Sequence, residues 1–114
     1  AQISGYTDHL WNGLSSKVFG KVIVGILTHE LFSPGVQHLV PADQVTKDQL
    51  VRLELDALGR TDVEVTSTTS PKAVDRTLST ENPDFNQRLF AAAGYSALPT
   101  ISQMVGEICA DLPN

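Results

Sequence analysis

The chain has 114 residues, 41% of them apolar and 18% charged, and a formal net charge of −5. That balance describes one globular domain over residues 1–114, neither disordered nor membranous. Thirteen acidic against eight scattered basic residues exclude a general nucleic-acid surface, and the single Cys109 excludes an internal disulfide framework and suits a cytoplasmic setting.

Residues Ala1 to Tyr6 alternate in part and read as extended. A start at Ala1 inside such a segment suggests a cut within a longer protein. Ser15 or Ser16 is a good cap for a helix reaching about His29. Its apolar positions Val18, Phe19, Val22, Ile23, Ile26 and Leu27 predict one buried stripe. Gly20 and Gly25 interrupt that helix at about 1 kcal/mol each relative to alanine, which suggests close packing against a neighbour. The run Val22 to Leu27 is too short to span a bilayer, and no basic segment precedes an apolar stretch as in a signal peptide.

Ser33-Pro34-Gly35 is a turn, and Val36 to Val40 reads as a short strand ended by Pro41. Thr46-x-x-Gln49 is a capping box that opens a second helix, closed by Gly59 in a left-handed position. Leu50, Leu53, Ala57 and Leu58 are its expected inward face, with Lys47, Arg52, Glu54 and Asp56 toward water. Val63 to Thr66 alternates as a third strand, followed by a polar loop from Ser67 to Ala73. Asn82-Pro83 caps and starts a helix that buries Phe85, Leu89 and Phe90 and ends at Gly94. Thr100-x-x-Gln103 repeats the capping device, with Ile101, Met104, Val105 and Ile108 as the core side of a terminal helix. Strands separated by helices predict an α/β fold, a small, mostly parallel sheet covered by helices.

Few residues point to chemistry. His9, His29 and His38 fall on different elements and share no i, i+4 register, so with Cys109 isolated they predict no metal site. No Gly-x-Ser-x-Gly elbow supports a nucleophile, and the carboxylates are dispersed. Arg76, between Val74 and Leu78 after a flexible loop, has two readings: an ion pair with Asp75 or another carboxylate, or a guanidinium fork gripping a diphosphate. Trp11 and Asn12 precede a glycine turn. The indole either caps the core or, with the Asn12 amide, lines a sugar or base pocket.

Five short motifs occur in order: Leu10-Trp11-Asn12-Gly13, Gly35-Val36-Gln37-His38-Leu39-Val40, Val45-Thr46-Lys47-Asp48-Gln49-Leu50, Asp75-Arg76-Thr77-Leu78-Ser79 and Gly94-Tyr95-Ser96-Ala97-Leu98-Pro99. Together they resemble the C-terminal, substrate-side lobe of the extended short-chain dehydrogenase/reductase family, close to its dTDP-4-dehydrorhamnose reductase-like sugar-nucleotide proteins. The resemblance runs from about Gly5 to Leu112. It departs from the family at Asp48, where relatives often carry an aromatic, and at Arg76-Thr77, where they often read Arg-Pro.

The resemblance implies a lobe that binds a nucleotide-diphosphate sugar, with Arg76 facing phosphate and Trp11 and Asn12 beside the substrate. It implies no catalytic residue here. The dinucleotide-binding half is missing, since no G-x-x-G-x-x-G turn occurs and neither Tyr6 nor Tyr95 is followed four residues later by lysine. The parent would reduce a sugar ketone with NADPH or NADH, and this lobe alone would hold no cofactor. A non-catalytic regulatory protein on the same scaffold, or a nucleotide-sugar epimerase or dehydratase, would share these motifs. Exposure of the face toward the missing half, around Leu31, Phe32 or Trp11, predicts self-association.

Overall fold

The computed structural model describes residues 1–112, which hold five short strands and four helices. β1 (Gln2–Tyr6) and β2 (His9–Trp11) lead into α1 (Ser16–His29). β3 (Val45–Thr46) runs directly into α2 (Lys47–Leu58), and β4 (Glu64–Thr68) and β5 (Val74–Arg76) precede α3 (Pro83–Ala92) and α4 (Ile101–Ala110). The fold is α/β with mostly parallel pairing, as expected, but the strands form two small sheets. β1 pairs with β4 in parallel, while β2 lies between antiparallel β3 and parallel β5.

The two parallel pairs are successive halves of one broken ribbon. Tyr6 pairs with Thr68 and His9 with Val74, so two residues on one side are matched by five on the other. The excess loops out through Pro71, and Asp8 pins it: its carboxylate accepts from the Ser70 N–H at 3.0 Å and from Ser70 Oγ at 3.1 Å. Those bonds, the backbone N–H first, hold the Asp8 carboxyl below its ordinary pKa.

Local chemistry sets the helix ends where expected. Ser15 accepts from Val18 N–H, Thr46 and Gln49 complete their capping box, and Asn82 accepts from Phe85 N–H ahead of Pro83. Gly59 takes φ of 66° and ends α2. Val18, Val22, Leu89, Phe90, Ile101 and Met104 form the core with Val45. Gly25 lets α1 approach α3 closely, since a Cβ there would stand 2.8 Å from the Ala92 carbonyl oxygen.

Three expectations change. Val36 to Val40 is not a strand, because no strand backbone lies beside it. The Asn86 amide substitutes for one, donating to the Val40 carbonyl and accepting from its N–H, both at 2.9 Å. Ser67 and Thr68 belong to β4 instead of the following loop, and β2, β3 and β5 are strands that periodicity did not predict. Finally, the α1 stripe is only half buried. Val18 and Val22 are fully enclosed, whereas Phe19 and Leu27 are each more than half exposed and Ile23 is also exposed, as is Leu58 of α2.

The molecule is thin for its length. Its extents are 47 × 36 × 18 Å and its radius of gyration is 15.9 Å, against about 13 Å for a compact domain of this size. Its accessible surface is 7371 Å², where about 6,100 Å² is usual for this mass. Among the described residues no helix is long and apolar enough to cross a membrane.

Candidate functional site

β2 and β5 carry Trp11 and Arg76, two of the residues expected beside a substrate. Parallel pairing sets Trp11 directly opposite Arg76 and His9 opposite Val74. Alternation along each strand then places His9, Trp11, Val74 and Arg76 on one face. Lys47 and Leu50, from the first turn of α2, close a groove of about 280 Å³ over that face together with Leu10. Two of the three expected site residues, Trp11 and Arg76, are therefore brought together.

The indole has a defined seat. A Cβ on Gly13 would overlap the six-membered ring of Trp11, so the ring lies across the glycine and only glycine admits it. Asn12 has a different occupation from the pocket donor expected of it. It is 6% exposed, and its amide donates to the Leu78 carbonyl and accepts from the Leu78 N–H, both at 2.8 Å. It does not line the groove. Asn12 fastens the chain leaving β5 to the chain leaving β2, and so fixes where Arg76 stands.

Arg76 is exposed and has no ion pair among the described residues. The expected alternative, a bridge to Asp75, does not form. Neighbours on a strand face opposite ways, and the Asp75 carboxylate is turned back on its own loop. It accepts from Thr77 Oγ1 at 2.6 Å and from Thr77 N–H at 2.9 Å, which lowers its pKa, the hydroxyl contributing most.

Two further groove residues, Lys47 and His9, have no site role in the sequence reading. Lys47 Nζ stands 5.4 Å from the centre of the Tyr6 ring. Tyr6 in turn lies 4.9 Å from the His9 ring, and His9 Nε2 is 2.9 Å from Ser70 Oγ. No carboxylate lines the groove. A signal for Lys47 existed: a cation at the first position of a helix opposes the macrodipole, which favours acid there. His9 had none, because its strand is three residues long and pairs only with distant segments.

Larger hollows carry less chemistry. One of about 680 Å³ lies between residues 33–38 and 79–85, with Glu81 as its only acidic or basic lining side chain besides the His38 imidazole. Another of about 600 Å³ runs along α1 beside Ala92 and Ala93 and is mainly apolar, with Lys21 and His29 at its margin. Among the described residues no cluster of three or more His, Cys, Asp or Glu could hold a metal ion. Cys109 is a partly buried free thiol.

Known proteins place the fold but supply no family. No family model matches the chain, and no curated protein matches it at a significant level. Among solved structures, RMD from Pseudomonas aeruginosa, determined in complex with NADPH, matches with a TM-score of 0.54 at 17% identity. The match covers 96% of this chain and 34% of that one, so the chain spans about a third of the length of the solved relative. At that identity the likeness is one of fold: this α/β arrangement recurs as one portion of an NADPH-bound protein.

Proposed function

We propose that the chain is the substrate-binding lobe of an NAD(P)H-dependent reductase of a nucleotide-linked keto-sugar, with Arg76 gripping the diphosphate beside Trp11. The observation that carries this reading is the register pair Trp11–Arg76, set in a groove without carboxylates in a chain of net charge −5. An unpaired guanidinium offers a planar fork to phosphate oxygens, and an indole offers a flat apolar wall to a ring. The fold shared with part of an NADPH-bound protein is consistent with this class. NADPH or NADH would sit on a separate dinucleotide-binding half, because these residues contain no glycine-rich phosphate turn.

The same reading accounts for the thin shape and the excess surface. Phe19, Val24 and Leu27 on α1, with Phe32 beyond it at 73% exposed, form the apolar face assigned to that second half. Without such a partner the face should bring copies of the chain together as concentration rises.

Titration of nucleoside diphosphate sugars against wild type and Arg76→Ala tests the assignment, with the fluorescence of Trp11, the sole tryptophan, as readout. A lost charge-assisted bond corresponds to about ten- to a hundredfold in affinity. Arg76→Ala should show that loss at an unchanged melting temperature, and Arg76→Lys should recover part of it. Unchanged affinity with lowered stability would retire the phosphate role.

A further inference from the structure

Arg76 is one of two free cations over the same groove, and the strand order explains why. β2 is flanked by β3 on one side and β5 on the other. Lys47 follows β3 immediately, and Arg76 ends β5. Strands two apart are separated by about 10 Å, so two long side chains rising from the flanks converge over β2, where His9 and Trp11 form the floor.

Neither cation has a carboxylate partner. Among the described residues Lys17, Lys21, Arg52 and Arg60 pair with Asp111, Glu107, Asp48 and Asp62, while Lys47, Lys72, Arg76 and Arg88 pair with no carboxylate, and of these four only Lys47 and Arg76 line the groove. The carboxylate nearest Lys47 in sequence, Asp48, is taken by Arg52 and Ser67. Lys47 rests on the Tyr6 ring instead, which locates the ammonium without neutralising it. Its position at the start of α2 is unfavourable for a cation, so local helix stability does not explain it. A surplus of acid elsewhere repels anions from the rest of the surface.

The chemistry of the two side chains differs in a useful way. Guanidinium binds one phosphoryl group through two parallel N–H bonds, whereas ammonium acts as a point charge on a flexible stem. A groove of about 280 Å³ lies just under the usual range for a whole small ligand, roughly 300–1,000 Å³. It suits the phosphate part alone, leaving the rest of the ligand over the rim. We infer that Lys47 is the second cation of a diphosphate cradle, taking the phosphoryl group that Arg76 does not, and that it sets the preference for diphosphates over monophosphates. This rests on the reading of Arg76 above and adds a specificity-determining residue to it.

Inorganic pyrophosphate and orthophosphate are sufficient probes, titrated against the chain while following Trp11 fluorescence, with thermal melting recorded for every variant. Wild type should prefer pyrophosphate by about tenfold, the worth of one charge-assisted contact. Lys47→Ala should erase that preference, weakening pyrophosphate by about tenfold and orthophosphate by less than about twofold. Its melting temperature should hold or rise slightly, since an unfavourable helix-start charge is gone. Lys47→Arg should keep the preference, and Arg76→Ala should weaken both probes. If Lys47→Ala leaves the preference intact while Arg76→Ala still weakens both, Lys47 has no such role and the reading of Arg76 stands. If neither substitution changes binding, or wild type binds neither probe, both readings fall.

Discussion

Two arginines, Arg52 and Arg76, stand at the two halves of the same broken ribbon and meet opposite fates. Arg52 reaches from α2 to the β1–β4 half. Its Nε donates to the Asp48 carboxylate, and its terminal nitrogen donates to the Val65 carbonyl at 3.1 Å and to Ser67 Oγ at 3.0 Å. Arg76, on the β2–β5 half, has an open groove before it and no carboxylate to meet. Both are exposed cations beside a short parallel pair in an acidic chain. Where the sequence supplies Asp48 and Ser67, the charge becomes a staple between helix and sheet. Where Asp75 is drawn off by Thr77, the charge is left without a carboxylate. The difference is made by the neighbours' commitments, and on the reading proposed above it separates stability from binding along a single ribbon.

The largest test of that separation is at Gly5. A Cβ there would overlap the Asp48 carboxylate and stand 2.9 Å from the Asp48 Cα, so the Gly5–Asp48 approach closes the stapled half. Gly5→Ala should destabilise by about 1–3 kcal/mol, as overpacking does, lowering the melting temperature by about 4–8 °C per kcal/mol. Anion affinity of the folded fraction should be unchanged. A loss of affinity at full folding would show that the two halves are coupled.

Exchanging the arginines' roles is a smaller and sharper perturbation. Arg52→Ala leaves Asp48 with only the Ser67 hydroxyl, and calorimetry should register a drop of a few degrees with groove affinity intact. Arg76→Ala should give the mirror result. Should both variants lose stability and neither lose affinity, the two halves are structurally alike and the comparison fails.

The strands of the stapled half could be read in advance, and those of the open half could not. Helix starts at Ser15, Thr46 and Asn82 were legible because capping is local, a side chain acting on an amide three residues on. The motif order pointed to Trp11 and Arg76, and the fold brings them into register. Their strands were invisible to periodicity, since three residues carry no period and the two strands lie more than sixty positions apart. Asn12 was noted for its amide, but only the structure shows that amide spent on Leu78. The half-buried stripe of α1 misled for the opposite reason. Its apolar pattern is real, but hydropathy does not tell an enclosed face from one left open, and Phe19 and Leu27 are open here.

That open face provides a third prediction, at the scale of association. Phe19→Lys with Leu27→Lys should leave the melting temperature nearly unchanged, because both side chains are already more than half exposed. Light scattering over a concentration series should show the wild type self-associating and the double variant staying monomeric. Monomeric wild type at every concentration would mean that the face needs no cover.

The smallest expected effect is one of pH, and it belongs to Asp48. The Ser67 hydroxyl, at 2.8 Å, and then Arg52 hold its carboxyl below the ordinary aspartate value, against a partial desolvation that acts the other way. A carboxyl whose folded pKa lies below its unfolded one, about 3.9, binds its proton more readily in the unfolded chain. Its contribution is therefore complete above about pH 5 and is lost as the pH falls through 3.9 toward the folded value. Thermal melts should hold level near neutrality and decline in that acid window. Asp48→Asn should lower the neutral plateau and flatten the acid limb, since nothing at that position then titrates. Groove affinity should not follow the same curve, because no carboxylate lines the groove. An acid limb equally steep in Asp48→Asn would assign it to Asp8, Asp62 or Asp75, each of which is also held low. Asp62, drawn to about 2 by Arg60, would then be the first to examine.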